Sequence, residues 1–490
     1  MSDGAWLGVD LGTQGVRAVA VSSSGEVLAA ASSPLSSRRD GSRHEQDPEQ
    51  WWSALSEASR ALTAATGRVP IEALAMCGTS GTIALVDAAG RALSPGLMYD
   101  DARAAAEAER AGEAAGAVLG YRIQPSWALP KLMWLLGAGG GGARGARLVH
   151  QVDFVARRLV GHPVTADSSH ALKTGYDLHR DAWPEEVMEA LGVPPWVLPP
   201  VVGPGSELGR VDRAGAEATG VPAGTPVIAG MTDGCAAQLA GGPLTVGDWN
   251  SVLGTTLVLK GVAPAPVRDP HGAVYCHRSP DGRWLPGGAS SAGAGVLTEH
   301  FPGRDLPELD RRAAEREPAS VLAYPLVSRG ERFPFAVPEA EAFMLGEPAD
   351  EADHFAALLQ GVAYVERLCL DYLDALGAPT EGQLSLTGGA TRSRYWCQLR
   401  ADILGRAVRL PEHPDPAFGM AVLAASRGRS LDEASRAMVR AREVIEPRED
   451  RTGRFLEPYV RLVEELEGRG WLERSVAEHA RSRAALTGRG

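Results

Sequence analysis

Asp10 closes the apolar run of residues 6–9 and stands directly before Leu11-Gly12-Thr13-Gln14-Gly15, a glycine turn joining two β-leaning segments. Glycine lets a backbone approach an anion, successive turn amides form an anion-binding concavity, and the Thr13 hydroxyl adds a donor. The pattern returns at Leu253-Gly254-Thr255-Thr256, again between β-rich flanks. Two such hairpins make a phosphate clamp, with Gly12, Thr13 and Gln14 on one side and Gly254, Thr255 and Thr256 on the other. A carboxylate at a strand end beside a phosphate loop, as Asp10 is, suits Mg²⁺. Asp233 stands between a short strand around residue 228 and the helix-like residues 235–239. Its small neighbours Gly230, Gly234, Ala236 and Ala237 leave space for a ligand. A carboxylate placed this way can serve as general base towards a hydroxyl, or more plainly as a helix N-cap.

Composition excludes several other chemistries. The chain has 490 residues, enough for two or three domains, and a net charge of −12 from 61 acidic and 49 basic residues. An acidic chain does not offer the basic face that nucleic-acid binding needs. The five cysteines, Cys77, Cys235, Cys276, Cys369 and Cys397, are scattered, with neither disulfide-framework nor zinc spacing. Gly78-Thr79-Ser80-Gly81 falls one residue short of a serine-hydrolase elbow. No run of 18 apolar residues occurs and the N-terminus lacks a basic, then apolar, signal pattern, so the expectation is a cytoplasmic protein without membrane attachment.

The elements that must position these residues follow from local pattern. Residues 6–11, 16–21 and 27–31 read as three strands. Asp47-Pro48-Glu49-Gln50 reads as a capped helix start, with Gln50 closing a capping box, and residues 71–77 and 83–86 return to strand. The four glycines Gly139–Gly142 lack a Gly-Lys-Ser/Thr ending and read as a surface connection. In the second half, residues 353–376 have helical periodicity. A strand at 383–387 runs into Gly388-Gly389-Ala390, and a helix follows from Ser393 to Leu404. The repeated Leu-Gly-Thr hairpin at the start of two half-chains suggests two related lobes, residues 1–245 and 246–490, with a peripheral helical tail from about 430.

Taken in order, these motifs resemble the FGGY carbohydrate kinases. Val9-Asp10-Leu11-Gly12-Thr13 is similar to the family's first phosphate hairpin, Glu45-Gln46-Asp47-Pro48 with Trp51-Trp52 to its helix start, and Tyr99-Asp100-Asp101-Ala102-Arg103 to its sugar-contact segment. Gly230-Met231-Thr232-Asp233 looks like its catalytic-aspartate motif, Leu253-Gly254-Thr255-Thr256 like its second hairpin, and Gly330-Glu331-Arg332-Phe333-Pro334 like a second-lobe loop. Thr387-Gly388-Gly389-Ala390, with Ser393, Trp396 and Gln398, is similar to its adenosine-binding signature. The resemblance implies an α/β, two-lobed actin-like (ribonuclease H-like) ATPase fold with the active site in the interdomain cleft. It implies ATP and Mg²⁺ as cofactors, with Asp10 towards the metal and Asp233 as base. Ser80, Asp101, Arg103 and Asp233 would meet the sugar, and Gly388, Gly389 and Ala390 the nucleotide.

Gly78-Thr79-Ser80-Gly81-Thr82 and residues 171–177 resemble the ribulose kinases of cyanobacteria and plants. The usual xylulose kinase pattern carries a Met-His pair where Thr79 and Ser80 stand. The expected reaction is therefore ATP-dependent phosphorylation of D-ribulose to D-ribulose 5-phosphate by a monomer or homodimer, with D-xylulose or another ketose or polyol as the alternative. An actin-like ATPase switch and an inactive sugar sensor are the readings of another class. Gln14, where a hydroxyl residue is expected, is the one departure that favours a sensor.

Overall fold

The computed structural model describes residues 4–138, 145–242 and 244–487, so the reading of Gly139–Gly142 lies outside the described residues. The chain forms two compact units. One comprises Met1–Gly242, His277–Trp284 and His413–Arg440; the other comprises Pro243–Cys276, Leu285–Glu412 and Ala441–Gly490.

The first unit is built on a six-stranded sheet in the order Glu207–Arg210, Pro226–Ile228, Ile71–Gly78, Ala5–Leu11, Gly15–Ser22, Val27–Pro34. Ala5–Leu11 runs antiparallel to Gly15–Ser22, with Asp10 opposite Arg17, and parallel to Ile71–Gly78, with Asp10 opposite Cys77. Val16, Ala18 and Ala20 alternate into the core, as a half-buried strand requires. The helix Pro48–Thr66 starts as expected, with the Asp47 carboxylate accepting from Glu49 N–H at 2.9 Å and Pro48 in the first turn. The expected capping box is absent, because the Gln50 amide oxygen instead accepts the Ser36 hydroxyl.

The second unit repeats the scheme in seven strands, ordered Tyr275–Arg278, Trp284–Ser290, Leu257–Gly261, Trp249–Leu253, Leu384–Thr387, Val408–Pro411, Ala441–Ile445. Trp249–Leu253 is antiparallel to Leu257–Gly261 and parallel to Leu384–Thr387. The two Leu-Gly-Thr turns thus occupy the same place in two like sheets, joining the first strand to the second. The helix Glu351–Ala375, buried on nearly every side, shares one hydrophobic core with this sheet. The segment after 430 is no peripheral tail. It adds the edge strand Ala441–Ile445, and Phe455, Tyr459, Leu462, Val463 and Leu466 are fully buried in the second unit's core. Charged residues on its outer face had hidden that inner stripe.

Backbone contact without side chains sets the centre of the first unit. A methyl group at Gly8 would lie 1.7 Å from the carbonyl oxygen of Ala417, one at Gly230 1.7 Å from that of Met76, and one at Gly419 2.0 Å from that of Ala236. The helix Pro416–Ala425 is therefore seated directly on the strand Ala5–Leu11 and on the helix Asp233–Gly241. Gly8→Ala should cost about 1–3 kcal/mol through overpacking, read as a lower thermal midpoint. Gly112→Ala, where a methyl meets nothing within 4 Å, should be neutral or stabilising.

Candidate active site

Three carboxylates of the first unit share one electrostatic neighbourhood. Asp10 ends its strand. Asp233 is the first residue of the helix Asp233–Gly241, with its Oδ1 accepting Gly234 N–H at 2.7 Å; the N-cap is Thr232. Asp415 caps the helix Pro416–Ala425 through Ala417 N–H and accepts Arg17 Nη1 at 3.0 Å. Desolvation first, then repulsion from Asp233 and Asp415, pushes the Asp10 carboxyl up to about 7. The Cys77 thiol, 3.5 Å from Asp10 Oδ1, and Arg17 oppose that rise without cancelling it. Between its ordinary value of 3.8 and about 7, folding therefore takes up a proton at Asp10, so this group's ionisation costs stability as pH rises across that window. An ionised Asp10 calls for a cation or a proton. Among the described residues no three His, Cys, Asp or Glu side chains are grouped to chelate a metal.

The turn after Asp10 closes with Gly12 N–H donating to the carbonyl of Gly15 at 3.0 Å. Two more of its carbonyls are committed to the protein: Gln46 Nε2 donates to Thr13 O at 2.7 Å and Leu35 N–H to Gln14 O at 2.9 Å. The Gln14 side chain is exposed at the tip. The Thr13 side chain acts on the Tyr99 hydroxyl, opposing the rise that burial imposes on it, so the turn lies beside the segment 99–103.

That segment is arranged differently from a row of outward contacts. Asp101 has no exposed surface, and its carboxylate accepts His44 N–H at 2.7 Å and Arg103 Nε and Nη2. Arg103 also reaches Glu45 at 2.7 Å and lies over the Trp134 ring. Asp101 and Arg103 thus hold each other and shape the loop, while Tyr99 stands exposed. Lys131, fully buried, donates to Met98 O at 2.6 Å and fixes the loop from behind. At the end of the strand Ile71–Gly78, Thr79 is occupied by Thr82 and Gln151, whereas Ser80 Oγ is buried without a hydrogen-bond partner. Lys173 Nζ reaches Ser80 O at 3.4 Å.

In the second unit a cavity of about 680 Å³ is lined by Gly254, Thr255, Gly389, Ala390, Thr298 and Asp310 among others. Four residues expected to hold phosphate or nucleotide therefore share one cavity. Thr256 and Gly388 do not line it: Gly388, at φ 88°, lies against Leu253, where a Cβ would meet Leu253 O at 2.5 Å. Ala294 N–H donates to Gly254 O at 2.9 Å and Gly295 N–H to Thr255 O at 3.1 Å, so this turn too has its carbonyls occupied. Asp310 is held by the Ser393 hydroxyl at 2.7 Å, and burial pushes its carboxyl up.

Sequence reading missed Asp310 and Asp415. Asp415-Pro416 carries the same Asp-Pro start as Asp47-Pro48, a signal for a helix that says nothing of what the helix packs on. Asp310 had no motif around it.

Known proteins bear on this arrangement. The model of the N-terminal domain of the FGGY family of carbohydrate kinases matches residues 5–240, and that of its C-terminal domain residues 249–427. The chain is 29% identical over 442 residues to a xylulose kinase of Escherichia coli (strain K12), covering 86% of this chain and 89% of that protein. It is 30% identical over 421 residues to a xylulose kinase of Streptomyces coelicolor, with 83% and 84% covered. A crystal structure of a xyloylose kinase from Brucella ovis superposes with a TM-score of 0.88 at 27% identity, over 96% of this chain and 100% of that one. No described helix is long and apolar enough to cross a membrane.

The cavity's one acidic wall gives a test. Asp310→Ala should weaken ADP binding by roughly tenfold, the size of one charged hydrogen bond, in isothermal titration, and leave sugar affinity unchanged.

Proposed function

The chain belongs to the FGGY family of carbohydrate kinases and is an ATP-dependent sugar kinase, and on that premise we propose that its acceptor is a ketopentose, D-xylulose first. The relatives named xylulose kinase align over most of their length and most of this chain, which favours D-xylulose over the D-ribulose expected from residues 78–82. D-ribulose stays as the second reading on one observation: Thr79-Ser80 presents a small buried hydroxyl where the xylulose kinase pattern has Met-His. The two sugars are epimers at a single carbon, so a few hydrogen bonds separate them.

The observation that carries the reading is Asp233 at a helix start, beside open space at Gly234, where a methyl would meet nothing within 4 Å, and in the field of a desolvated Asp10. In this reading Asp233 takes the proton of the sugar's terminal hydroxyl. The hydroxyl oxygen then bonds to the γ-phosphorus of ATP, the bond from that phosphorus to the bridging oxygen breaks, and ADP leaves with the electron pair. Ser80 meets the sugar, with Asp101 and Arg103 setting its contact loop. Gly12, Thr13 and Gln14 face phosphate. So do Gly254, Thr255 and Thr256, while Gly388, Gly389 and Ala390 hold the nucleoside. Residues 1–245 supply the sugar site and base, and residues 246–490 the adenosine site. Mg²⁺, when bound, offsets charge on the phosphates. Asp10 would hold it, because a desolvated carboxylate among like charges fits a cation already carried by phosphate oxygens.

The test is a coupled ADP-release assay with MgATP over D-xylulose, D-ribulose, L-ribulose, ribitol and glycerol. Turnover should be fastest on D-xylulose and fall by about 10³-fold or more in Asp233→Ala, at the scale of a lost general base. D-ribulose turning over faster reverses the order of the two sugars. An Asp233→Ala variant of undiminished rate removes the base.

A further inference from the structure

We infer that Ser169, a buried serine outside the substrate-contact set, is the positioning residue of Asp233. The inference rests on the reading of Asp233 as base. An aspartate has a short side chain, so where its carboxylate sits is decided mainly by the backbone that carries it. That backbone is the junction Thr232-Asp233, and it is held unusually. A threonine at an N-cap ordinarily turns its hydroxyl back onto the amides of its own helix. Thr232 makes no such bond. Its N–H donates to Ser169 Oγ at 3.1 Å, and its hydroxyl lies 3.2 Å from the same oxygen. The anchor of the junction is therefore a side chain 63 residues earlier in the chain.

The anchor is itself fixed. Ser169 has no exposed surface, and Thr232 and His277 are 2% exposed. Ser169 Oγ also lies 3.2 Å from His277 Nδ1 and 3.8 Å from Cys235 Sγ, in the first turn of the helix that Asp233 begins. Ser169 belongs to the four-residue helix Ser168–Ala171, capped by Asp167, whose carboxylate accepts His170 N–H at 2.9 Å. His170 bonds Asp167 through Nδ1 at 2.7 Å and reaches Gly78 O through Nε2 at 3.3 Å. Gly78 ends the strand that delivers Thr79 and Ser80, and it bridges to Thr232. One buried block thus holds both the sugar-side turn and the peptide in front of Asp233. None of its side chains need touch substrate to matter: a shift of about 1 Å in a reacting group can cost about 100-fold in rate.

The experiment compares Ser169→Ala, Ser169→Thr, Asp233→Asn and the double variant Ser169→Ala/Asp233→Asn, using MgATP with D-xylulose, or with the best acceptor of the panel. Ser169→Ala should lower kcat by about 10- to 100-fold. The KM for sugar and for ATP should stay within about twofold and the circular dichroism spectrum unchanged, since only placement of the base is lost. Ser169→Thr, which keeps the hydroxyl, should recover most of the loss. In the double variant the serine change should add less than about twofold to the Asp233→Asn defect, because two changes that act through one group are not additive. A kcat within twofold of the parent in Ser169→Ala overturns the inference, as does a full additive loss in the double variant or a parallel rise in both KM values. If Ser169→Ala does not fold, Ser169→Cys keeps the volume with a poorer acceptor and must give the same split. A fully active Asp233→Asn removes the base reading and the inference with it. An inactive Asp233→Asn beside an unaffected Ser169→Ala removes the inference alone.

Discussion

Crowding negative charge around Asp10 is the constraint on which the first unit depends. A desolvated carboxylate flanked by Asp233 and Asp415 is unfavourable, and one arginine, Arg17, does not offset it. The elements that carry these carboxylates are held by close backbone packing. Gly8, Gly230 and Gly419 let two helices and two strands meet with no side chain between them. Dense contact of that kind is not continuously deformable, so the repulsion stays concentrated at the helix starts and strand end. Strain of this sort is kept where a site is meant to take up a proton or a cation.

The same economy runs through the hairpins. In both units the turn after the first strand is fixed by its carbonyls, through Gln46 and Leu35 in one and through Ala294 and Gly295 in the other. Carbonyls turned into the protein in this way do not repel an anion at the turn, which suits phosphate. The segment 99–103 adds a link of its own. Asp101 and Arg103 are committed internally, in a network with Glu45, while Tyr99 stands exposed beside the Thr13 turn.

Much of this was legible in the residues. The Asp10 strand, both Leu-Gly-Thr turns and the strand-to-helix junction at Asp233 could be read because each is local: apolar alternation, a glycine turn, a run of small residues. Their recurrence also pointed correctly to two like sheets. What could not be read were the long-range seatings. Residues 413–440 belong with the first unit, and nothing in Asp415-Pro416 beyond a helix start says so. The stretch after 430 looked peripheral because its many charges mask the stripe of Phe455, Tyr459 and Leu462. Asp101 and Arg103 have the residue types of a sugar contact. Only the fold shows that each is the other's partner. Ser169 carries no pattern at all, since a buried serine is informative only through what it touches.

The most direct test of the central constraint is the titration of Asp10, followed by ¹³C NMR of the aspartate carboxyls in the metal-free protein, with Asp10→Asn to assign the signal. One carboxyl should titrate near 7 and vanish in that variant. Its midpoint should move down in Asp415→Asn, because removing a neighbouring negative charge makes ionisation easier. An Asp10 signal that titrates in the ordinary range around 4, indifferent to Asp415, would contradict the account.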